Sequence, residues 1–337
     1  MNYFRKILCL IKDIRNFPHF IYHIYHYANR YVPLRIAHRI SKQNRKEQRE
    51  QGIVDVYVPT NDGSNQAVHP DFDLYNGKVL LVCTPYPYGM EEYENPCLYM
   101  GQDIDNLQPL LCPLDTQSKH MQGIHLSDPC IAVIQNEIIC IYRDTRYKED
   151  TIYLKKLHID ETGDLHDSDR QLILHSNDEF VLSPALLLSK EGLWLYSVKM
   201  KENNSKLVLD IFHDNDFSLK STQEVKVLNE PDQYYLWHIG ITTADDYIKV
   251  IDVNQKLVGL FLYINHNDTN DLRLYLAEGS VNNPLEWSLD KEVYIPDEIK
   301  KVMWFPYKSC FNPLSKNILL SFRDYKKRNR LVEIETI

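Results

Sequence analysis

The feature that most constrains this chain is a unit that recurs five times after residue 52. Four units open with a polar residue before proline or with Trp-His, the fifth opens with Tyr-Lys-Ser, and each continues through a short apolar segment and a turn into an apolar strand. The openings are His69-Pro70, Asp128-Pro129, Ser183-Pro184, Trp237-His238 and Tyr307-Lys308-Ser309. Recurrence of this kind predicts a repeat architecture in which neighbouring units bury each other's faces.

The spacing of the units sets the fold class. Pro129 lies 59 residues after Pro70, and Pro184 lies 55 residues after Pro129. Each interval has room for four short strands, and helical periodicity is almost absent from this region. We therefore predict an all-β fold, a five-bladed β-propeller that occupies residues 52–337. Residues 53–57 precede the first blade and are expected to close the ring by pairing with the last one.

Residues 1–51 are predicted to form a separate basic, helical extension. The first 50 residues carry a net charge of +8 within a chain of net charge -9. Ile7, Ile11 and Ile14 recur with the period of one helical face, and Ile21 and Ile24 continue the pattern. Such a segment is suited to an anionic membrane surface, and the alternative is that it docks on the body or on a partner protein.

Composition excludes several classes of function. The acidic body lacks the basic face that nucleic-acid binding requires. The seven cysteines are odd in number and form no CxxC pair, which argues against a zinc ribbon or a disulfide framework and favours a reducing compartment. With no convincing secretory signal and no apolar run long enough to span a bilayer, we expect a cytoplasmic protein that associates peripherally with the inner face of the membrane.

The repeat resembles the five-bladed propellers of glycoside hydrolase families 43 and 32 over roughly residues 53–337, in its pattern rather than in close identity. The segments Thr84-Pro85-Tyr86-Pro87 and Glu94-Asn95-Pro96 are similar to a bacterial subgroup of such propellers with TPYP, ENP, SDP, SP and WH signatures. The resemblance implies a central funnel where inner strands present carboxylates. Glycoside hydrolysis needs two carboxylates of unequal pKa that flank the scissile bond.

Carried over position by position, the resemblance implies an incomplete catalytic set. Asp128 stands before Pro129, as the blade-two aspartate does in these families. In blade one His69 replaces the aspartate before proline, with Asp71 two residues further on. In blade three Leu182 stands where the general acid belongs, and leucine cannot donate a proton. Glu94 is the substitute carboxylate expected to face Asp128.

The candidate catalytic residues are therefore Asp128, Glu94 and Asp71. The candidate substrate-binding residues are His69, Asn95, Arg143, Ser183, Trp237, His238 and Arg323. We assign no cofactor and no metal, although His69, Asp128 and His238 are of types that also bind metals. Each also has a structural alternative: a turn for Asp128, a hydrogen bond for Glu94, pairing with nearby acids for the arginines, and packing for Trp237.

These residues predict a glycan-active protein with a non-standard catalytic set. Its expected partner is a carbohydrate, namely a cell-surface or capsular polysaccharide or its precursor. The alternative is a non-catalytic carbohydrate-binding propeller that assists a glycosyltransferase complex. The missing acid at Leu182 favours the alternative, whereas Asp128, Glu94 and the two histidines favour an enzyme.

Overall fold

A computed structural model describes residues 53–116, 124–146, 149–190, 192–202 and 204–336. Residues 53–337 form one compact unit. The predicted helices of residues 1–51 lie outside the described residues, so the domain boundary stays a prediction. No helix in the described ranges is long and apolar enough to cross a membrane.

The described strands fall into five antiparallel groups. The first is β2 (Ala67–Tyr75), β3 (Lys78–Pro85), β4 (Cys97–Gly101) and β5 (Gln108–Leu111). The second is β6 (Ile124–Ile134), β7 (Glu137–Arg146), β8 (Glu149–Ile159), β9 (Leu165–Asp167) and β10 (Gln171–Ser176). The third is β11 (Phe180–Ser189), β12 (Gly192–Lys201), β13 (Asn204–Phe212) and β14 (Leu219–Leu228). The fourth is β15 (Tyr234–Thr243), β16 (Lys256–Asn265), β17 (Leu272–Ser280) and β18 (Asn283–Glu292). The fifth is β19 (Met303–Pro306), β20 (Cys310–Phe311), β21 (Ile318–Asp324), β22 (Asn329–Ile334) and β1 (Ile53–Asp55).

Helical structure within the described ranges is limited to three short turns. Two 3-10 turns, Pro87–Gly89 and Glu91–Tyr93, lie between β3 and β4. A single α-helical turn, α1 (Asp297–Lys300), precedes β19.

The groups are arranged around a common centre. The first strands contact one another in a closed cycle from β2 to β6, β11, β15 and β20 and back to β2. β1 pairs antiparallel with β22, which is the closure predicted from the sequence. The outer strands β14 and β18 also pair in parallel, so the third and fourth groups share one eight-stranded sheet. The predicted all-β propeller is confirmed.

Apolar layers between neighbouring groups supply the core. Between the third and fourth groups, for example, Tyr196, Phe261 and Trp287 are each almost wholly buried and pack edge to face or tilted. Burying such a large side chain stabilises the fold by about 1.5–3 kcal/mol. The layers fix the position of the first strands, whose starts carry the predicted site residues.

The first strands share a local irregularity at the start of each repeat. The pairing register of β2, β6, β11 and β15 shifts at Val68–Asp71, Ser127–Cys130, Leu182–Ala185 and Leu236–His238, respectively. His69, Asp128 and Ser183 lie within these shifts and have positive φ angles of 53°, 48° and 49°. A bulge of this kind re-aims the side chain at that position. Because it recurs, successive blades direct one residue each toward the same centre.

Candidate functional site

His69, Asp128 and His238 converge at the centre of the propeller. His69 Nδ1 lies 2.5 Å from Asp128 Oδ1, and the rings of His69 and His238 are 5.4 Å apart between centroids. One potential metal-ligand atom from each of the three residues lies within 4.8 Å of the other two. All three side chains are buried. Three blades thus contribute one polar group each to one point.

The charges at this point are unequal. Burial alone would raise the pKa of Asp128, but His69 and Arg143 outweigh it and hold that pKa well below its usual range. Burial lowers the pKa of His238 well below its ordinary value, so His238 is a neutral imidazole with a lone pair. The centre therefore combines a carboxylate with an uncharged nitrogen ligand.

Arg143 holds Asp128 from the second blade. Its Nη2 lies 3.0 Å from Asp128 Oδ2, and its Nη1 lies 3.4 Å from Asp150 Oδ2. Asp150 also accepts hydrogen bonds from Thr145 Oγ1 (2.9 Å) and from the Val181 N–H (2.7 Å). The guanidinium, predicted to bind substrate, is placed between two buried acids, where it fixes the orientation of Asp128.

Glu94 lies beside this cluster on the connection between β3 and β4. Burial raises its pKa well above the ordinary value, while a hydrogen bond from Ser127 acts in the opposite direction. Its Oε1 is 3.9 Å from His125 Nε2. A carboxyl whose pKa is raised holds its proton to higher pH and is suited to donate it. The neighbouring Asn95 donates a hydrogen bond from Nδ2 to the Asp115 carbonyl oxygen, which anchors the same connection.

Two of the predicted site residues, Asp71 and Ser183, instead make buried contacts that link one blade to another. Asp71 is fully buried, with its Oδ1 3.0 Å from Lys249 Nζ, and its Oδ2 accepts a hydrogen bond from the Ile131 N–H (3.0 Å). The Ser183 hydroxyl accepts from the Ile239 N–H (2.9 Å) and donates to the Ile239 carbonyl oxygen (2.8 Å). Leu182, at the position of the missing acid, packs into the core between the third and fourth blades.

Trp237 and Arg323, two further predicted residues, are half-buried. The Trp237 ring is 5.3 Å from the His238 ring, and Arg323 Nη2 donates to the Tyr88 carbonyl oxygen at 2.8 Å. The structure therefore gathers His69, Asp128 and His238, with Arg143, Glu94 and Trp237 around them. It places Asp71 and Ser183 in the supporting framework.

Sequence reasoning missed two residues that shape the site. Lys308 is completely buried, and its Nζ donates to the Pro129 (3.2 Å) and Pro184 (2.8 Å) carbonyl oxygens, directly after two of the bulges. The Tyr307 ring lies 5.3 Å from the His69 ring. Both belong to the opening of the fifth unit, so their place in the repeat was the available signal.

The donor set fits a divalent cation. Among the described residues, His238 Nδ1 is buried without a hydrogen-bond partner, whereas His69 Nδ1 contacts Asp128 Oδ1 and Arg143 Nη2 contacts Asp128 Oδ2. Unpaired buried polar atoms cost free energy unless a ligand satisfies them. Imidazole nitrogens with one carboxylate are ligands that catalytic zinc and related divalent ions use, with positions left open for substrate.

No protein-family model matches this sequence, and no curated protein matches it. The fold is similar to that of an N-acetylgalactosamine deacetylase from F. plautii solved with blood group B trisaccharide, at 14% identity over 80% of this chain and 89% of that chain, with a TM-score of 0.60. It is similar to a thermostable family 43 glycoside hydrolase at 10% identity, over 80% and 88% of the two chains, with a TM-score of 0.56. It is also similar to a family 43 endo-arabinanase from Bacillus licheniformis at 10% identity, over 79% and 93%, with a TM-score of 0.54.

At these identities the similarities bear on architecture. They agree with the cycle of first strands and with the sequence pattern that resembled families 43 and 32. The described body of this chain is an all-β propeller of the architecture found in family 43 glycoside hydrolases.

Proposed function

We propose that this protein is a glycan-active hydrolase that holds a divalent cation with His69, Asp128 and His238 and removes an acyl substituent from a sugar. The observation that carries the proposal is the meeting of these three buried side chains within 4.8 Å. A divalent cation, when bound, polarises a carbonyl oxygen and favours hydrolysis. The neighbouring folds support the choice of substrate, because one belongs to an N-acetylgalactosamine deacetylase and others to glycosidases.

The residues around the centre have distinct roles in this proposal. Arg143 keeps Asp128 ionised and oriented. In the hydrolysis a water molecule adds to the acyl carbon, the bond from that carbon to the sugar nitrogen or oxygen breaks, and Glu94, whose pKa is raised by burial, gives a proton to the departing amine or alcohol and regains one from the water. The rings of Trp237 and Tyr307, which lie 5.3 Å from those of His238 and His69, are suited to pack against a sugar ring and orient it.

Two features argue against cleavage of a glycosidic bond by the usual carboxylate pair. Leu182 occupies the position of the general acid and packs into the core. Asp71 is bound to Lys249 and to backbone, which leaves it no free face for a substrate. The same features favour the second candidate, a carbohydrate-binding propeller without catalysis that assists a glycosyltransferase complex.

The test begins with metal binding to the full chain. Protein stripped with a chelator should bind Mn²⁺ or Zn²⁺ in isothermal titration calorimetry with one site per chain. His238→Ala should remove that site. His213→Ala, which alters an exposed histidine outside the cluster, is the matched control.

Activity then separates the candidates. The metal-loaded protein should release acetate from a panel of N- and O-acetylated oligosaccharides without producing new reducing ends. New reducing ends would identify a glycosidase instead. Metal and sugar binding without either product would leave the non-catalytic candidate.

We further propose that residues 1–51 bring the protein to an anionic membrane surface on the cytoplasmic side, where lipid-linked polysaccharide precursors are available. Their charge of +8 supports this. Flotation of the full chain with phosphatidylserine vesicles should decrease as salt is raised, because polybasic contacts are screened. Flotation that is unaffected by removal of residues 1–51 would contradict the proposal.

A further inference from the structure

Exposed apolar side chains are concentrated at one place on the propeller. Of the nine large exposed hydrophobic residues in the described ranges, four flank the start of β19: Tyr294, Val302, Trp304 and Tyr325. The Tyr325 N–H donates to the Val302 carbonyl oxygen (3.1 Å), so the two segments lie side by side. The start of β19 is at the same end of the propeller as the starts of β2, β6 and β15, which carry the site. Exposed apolar clusters on this scale mark binding surfaces.

An aromatic path connects this patch with the central site. Trp304 precedes Phe305, whose ring lies 6.0 Å from that of Trp237, and the Trp237 ring lies 5.3 Å from that of His238. Trp237 Nε1 is buried and has no hydrogen-bond partner among the described residues, so a donor is available along the path. The rings of Trp237 and Phe305 thus lie between His238 and the segment that carries Trp304.

Arg323 adds a positive charge to the outer end of this path. Its guanidinium carbon lies 5.2 Å from the centre of the Trp304 ring, and its Nη2 donates to the Tyr88 carbonyl oxygen. Gly89 packs against it so closely that an added Cβ would lie 2.6 Å from Nη1. The guanidinium is thus held in one orientation, while its buried Nε has no hydrogen-bond partner in the part of the chain that the structure describes.

This charge is uncompensated. In the same blade Arg328 pairs with Asp324, and Arg330 pairs with Asp55. Within the described ranges no carboxylate lies at ion-pair distance from Arg323. A rigid arginine stacked on tryptophan, without an acidic partner, is suited to bind a planar carboxylate.

We infer that Trp304 and Arg323 form an outer subsite for an acidic sugar, so that the ligand is an anionic oligosaccharide that extends from His238 across the fifth blade. The inference rests on the proposed function for the inner end of the path. Trp304 provides an apolar face for the sugar ring, and Arg323 binds its carboxylate. A single neutral sugar would occupy the centre and leave this outer surface unused.

The test measures binding of the full chain to two sets of oligosaccharides by glycan array and titration calorimetry. The acidic set contains trigalacturonic acid, a hyaluronan tetrasaccharide and sialyllactose. The neutral set contains arabinotriose, xylotriose and chitotriose. Binding should favour the acidic set and weaken with salt.

Variants identify the subsite. Arg323→Gln should weaken acidic binding roughly ten- to a hundredfold, the value of a hydrogen bond to a charged group. Trp304→Ala should weaken binding of both sets. Leu219→Ala, which truncates an exposed apolar residue on the third blade, should change neither. Melting temperatures verify that each variant folds.

Several outcomes would overturn the inference: equal binding of both sets, unchanged acidic binding in Arg323→Gln, or no binding of any acidic probe. The proposed hydrolytic function fails separately. His238→Ala should abolish metal binding yet retain most of the acidic binding that depends on Arg323. A protein that binds acidic glycans but neither metal nor acyl groups would therefore keep the subsite and lose the hydrolase.

Discussion

The buried ion pair between Asp71 and Lys249 gives the sharpest test of how the centre is built. Lys249 Nζ lies 3.0 Å from Asp71 Oδ1 and also donates to the Ile241 carbonyl oxygen at 2.6 Å. Asp71 Oδ2 accepts from the Ile131 N–H. Both side chains are buried, at 0% and 3% exposed. One pair therefore links the first, second and fourth blades.

Removing one partner leaves the other as an uncompensated buried charge. Lys249→Met should therefore lower the free energy of unfolding by about 3–5 kcal/mol. Asp71→Asn should cost a similar amount. The double variant should be more stable than the sum of the single effects predicts, by about 2–3 kcal/mol, because the remaining charge is also removed.

The measurement is equilibrium urea unfolding of the full chain at pH 7, followed by tryptophan fluorescence. Lys190→Met is the control, since Lys190 pairs with Asp252 on the surface at 3.1 Å and such pairs contribute little. Additive effects of the two single variants would refute the structural role. So would an Asp71→Asn variant that loses activity at full stability, because Asp71 would then act directly in the chemistry, as the sequence predicted.

Three further predictions concern reactivity, pH and backbone space. Cys112 should be the first of the described cysteines to react with iodoacetamide, as measured by peptide mapping of the native protein. A hydrogen bond from Cys97 lowers the pKa of the Cys112 thiol, and the Cys112 side chain is only half-buried. Earlier labelling of a fully buried thiol would contradict this. Burial raises the pKa of Asp73 to about 7, so between pH 4 and pH 7 the native state holds a proton that the unfolded state has lost. In urea unfolding, the free energy of unfolding of the native protein should therefore fall with rising pH, by up to about 1.4 kcal/mol per pH unit relative to that of Asp73→Asn. A difference between the two proteins that stays constant with pH would mean that Asp73 is ionised throughout. Gly240→Ala should lower the melting temperature far more than Gly77→Ala, since the Cβ added at residue 240 would lie 2.2 Å from the Ser309 carbonyl oxygen. At Gly77 an added Cβ meets no atom within 4 Å, and the only cost is the strain of its φ of +73°. Equal effects would show that the backbone at Ser309 can shift to make room for the new Cβ.

Much of the architecture could be predicted because the repeat carries it. The similar spacing of Pro70, Pro129 and Pro184 predicts repeated units of similar size around a centre. The first strands do form a closed cycle. The meeting of His69, Asp128 and His238 follows from their equivalent places in that repeat. The pairing of β1 with β22 was likewise predictable, because residues 53–57 precede the first unit and could close the ring by pairing with the last blade.

The partners of the buried charges could not be predicted. Asp71 and Lys249 are 178 residues apart, and nothing in either local segment indicates the other. From the sequence, Asp71 could therefore be interpreted as catalytic. In the folded chain it forms a buried ion pair with Lys249 that links two blades. Lys308 is a similar case, since it lies between β19 and β20 and its local sequence does not indicate the two carbonyl oxygens from other blades that accept its hydrogen bonds.

The backbone conformation at the bulges was also invisible in the sequence, yet it explains why a repeat becomes a site. Side chains other than glycine rarely adopt a positive φ, and proline further restricts the residue before it. His69, Asp128 and Ser183 nevertheless all do so, at a cost of about 1–3 kcal/mol each, which the surrounding structure must offset.

Lys308 is placed to hold two of these bulges. Its ammonium group donates to the carbonyl oxygens of Pro129 and Pro184, each of which directly follows a strained residue. Ser183 in turn uses its hydroxyl to fix the Ile239 backbone next to His238. The strained residue Ser183 thus makes the hydrogen bonds that fix the backbone beside His238 in the next blade. The convergence of ligand atoms then depends in part on the fifth blade, which contributes no group to the cluster of His69, Asp128 and His238 but holds the backbone that directly follows Asp128.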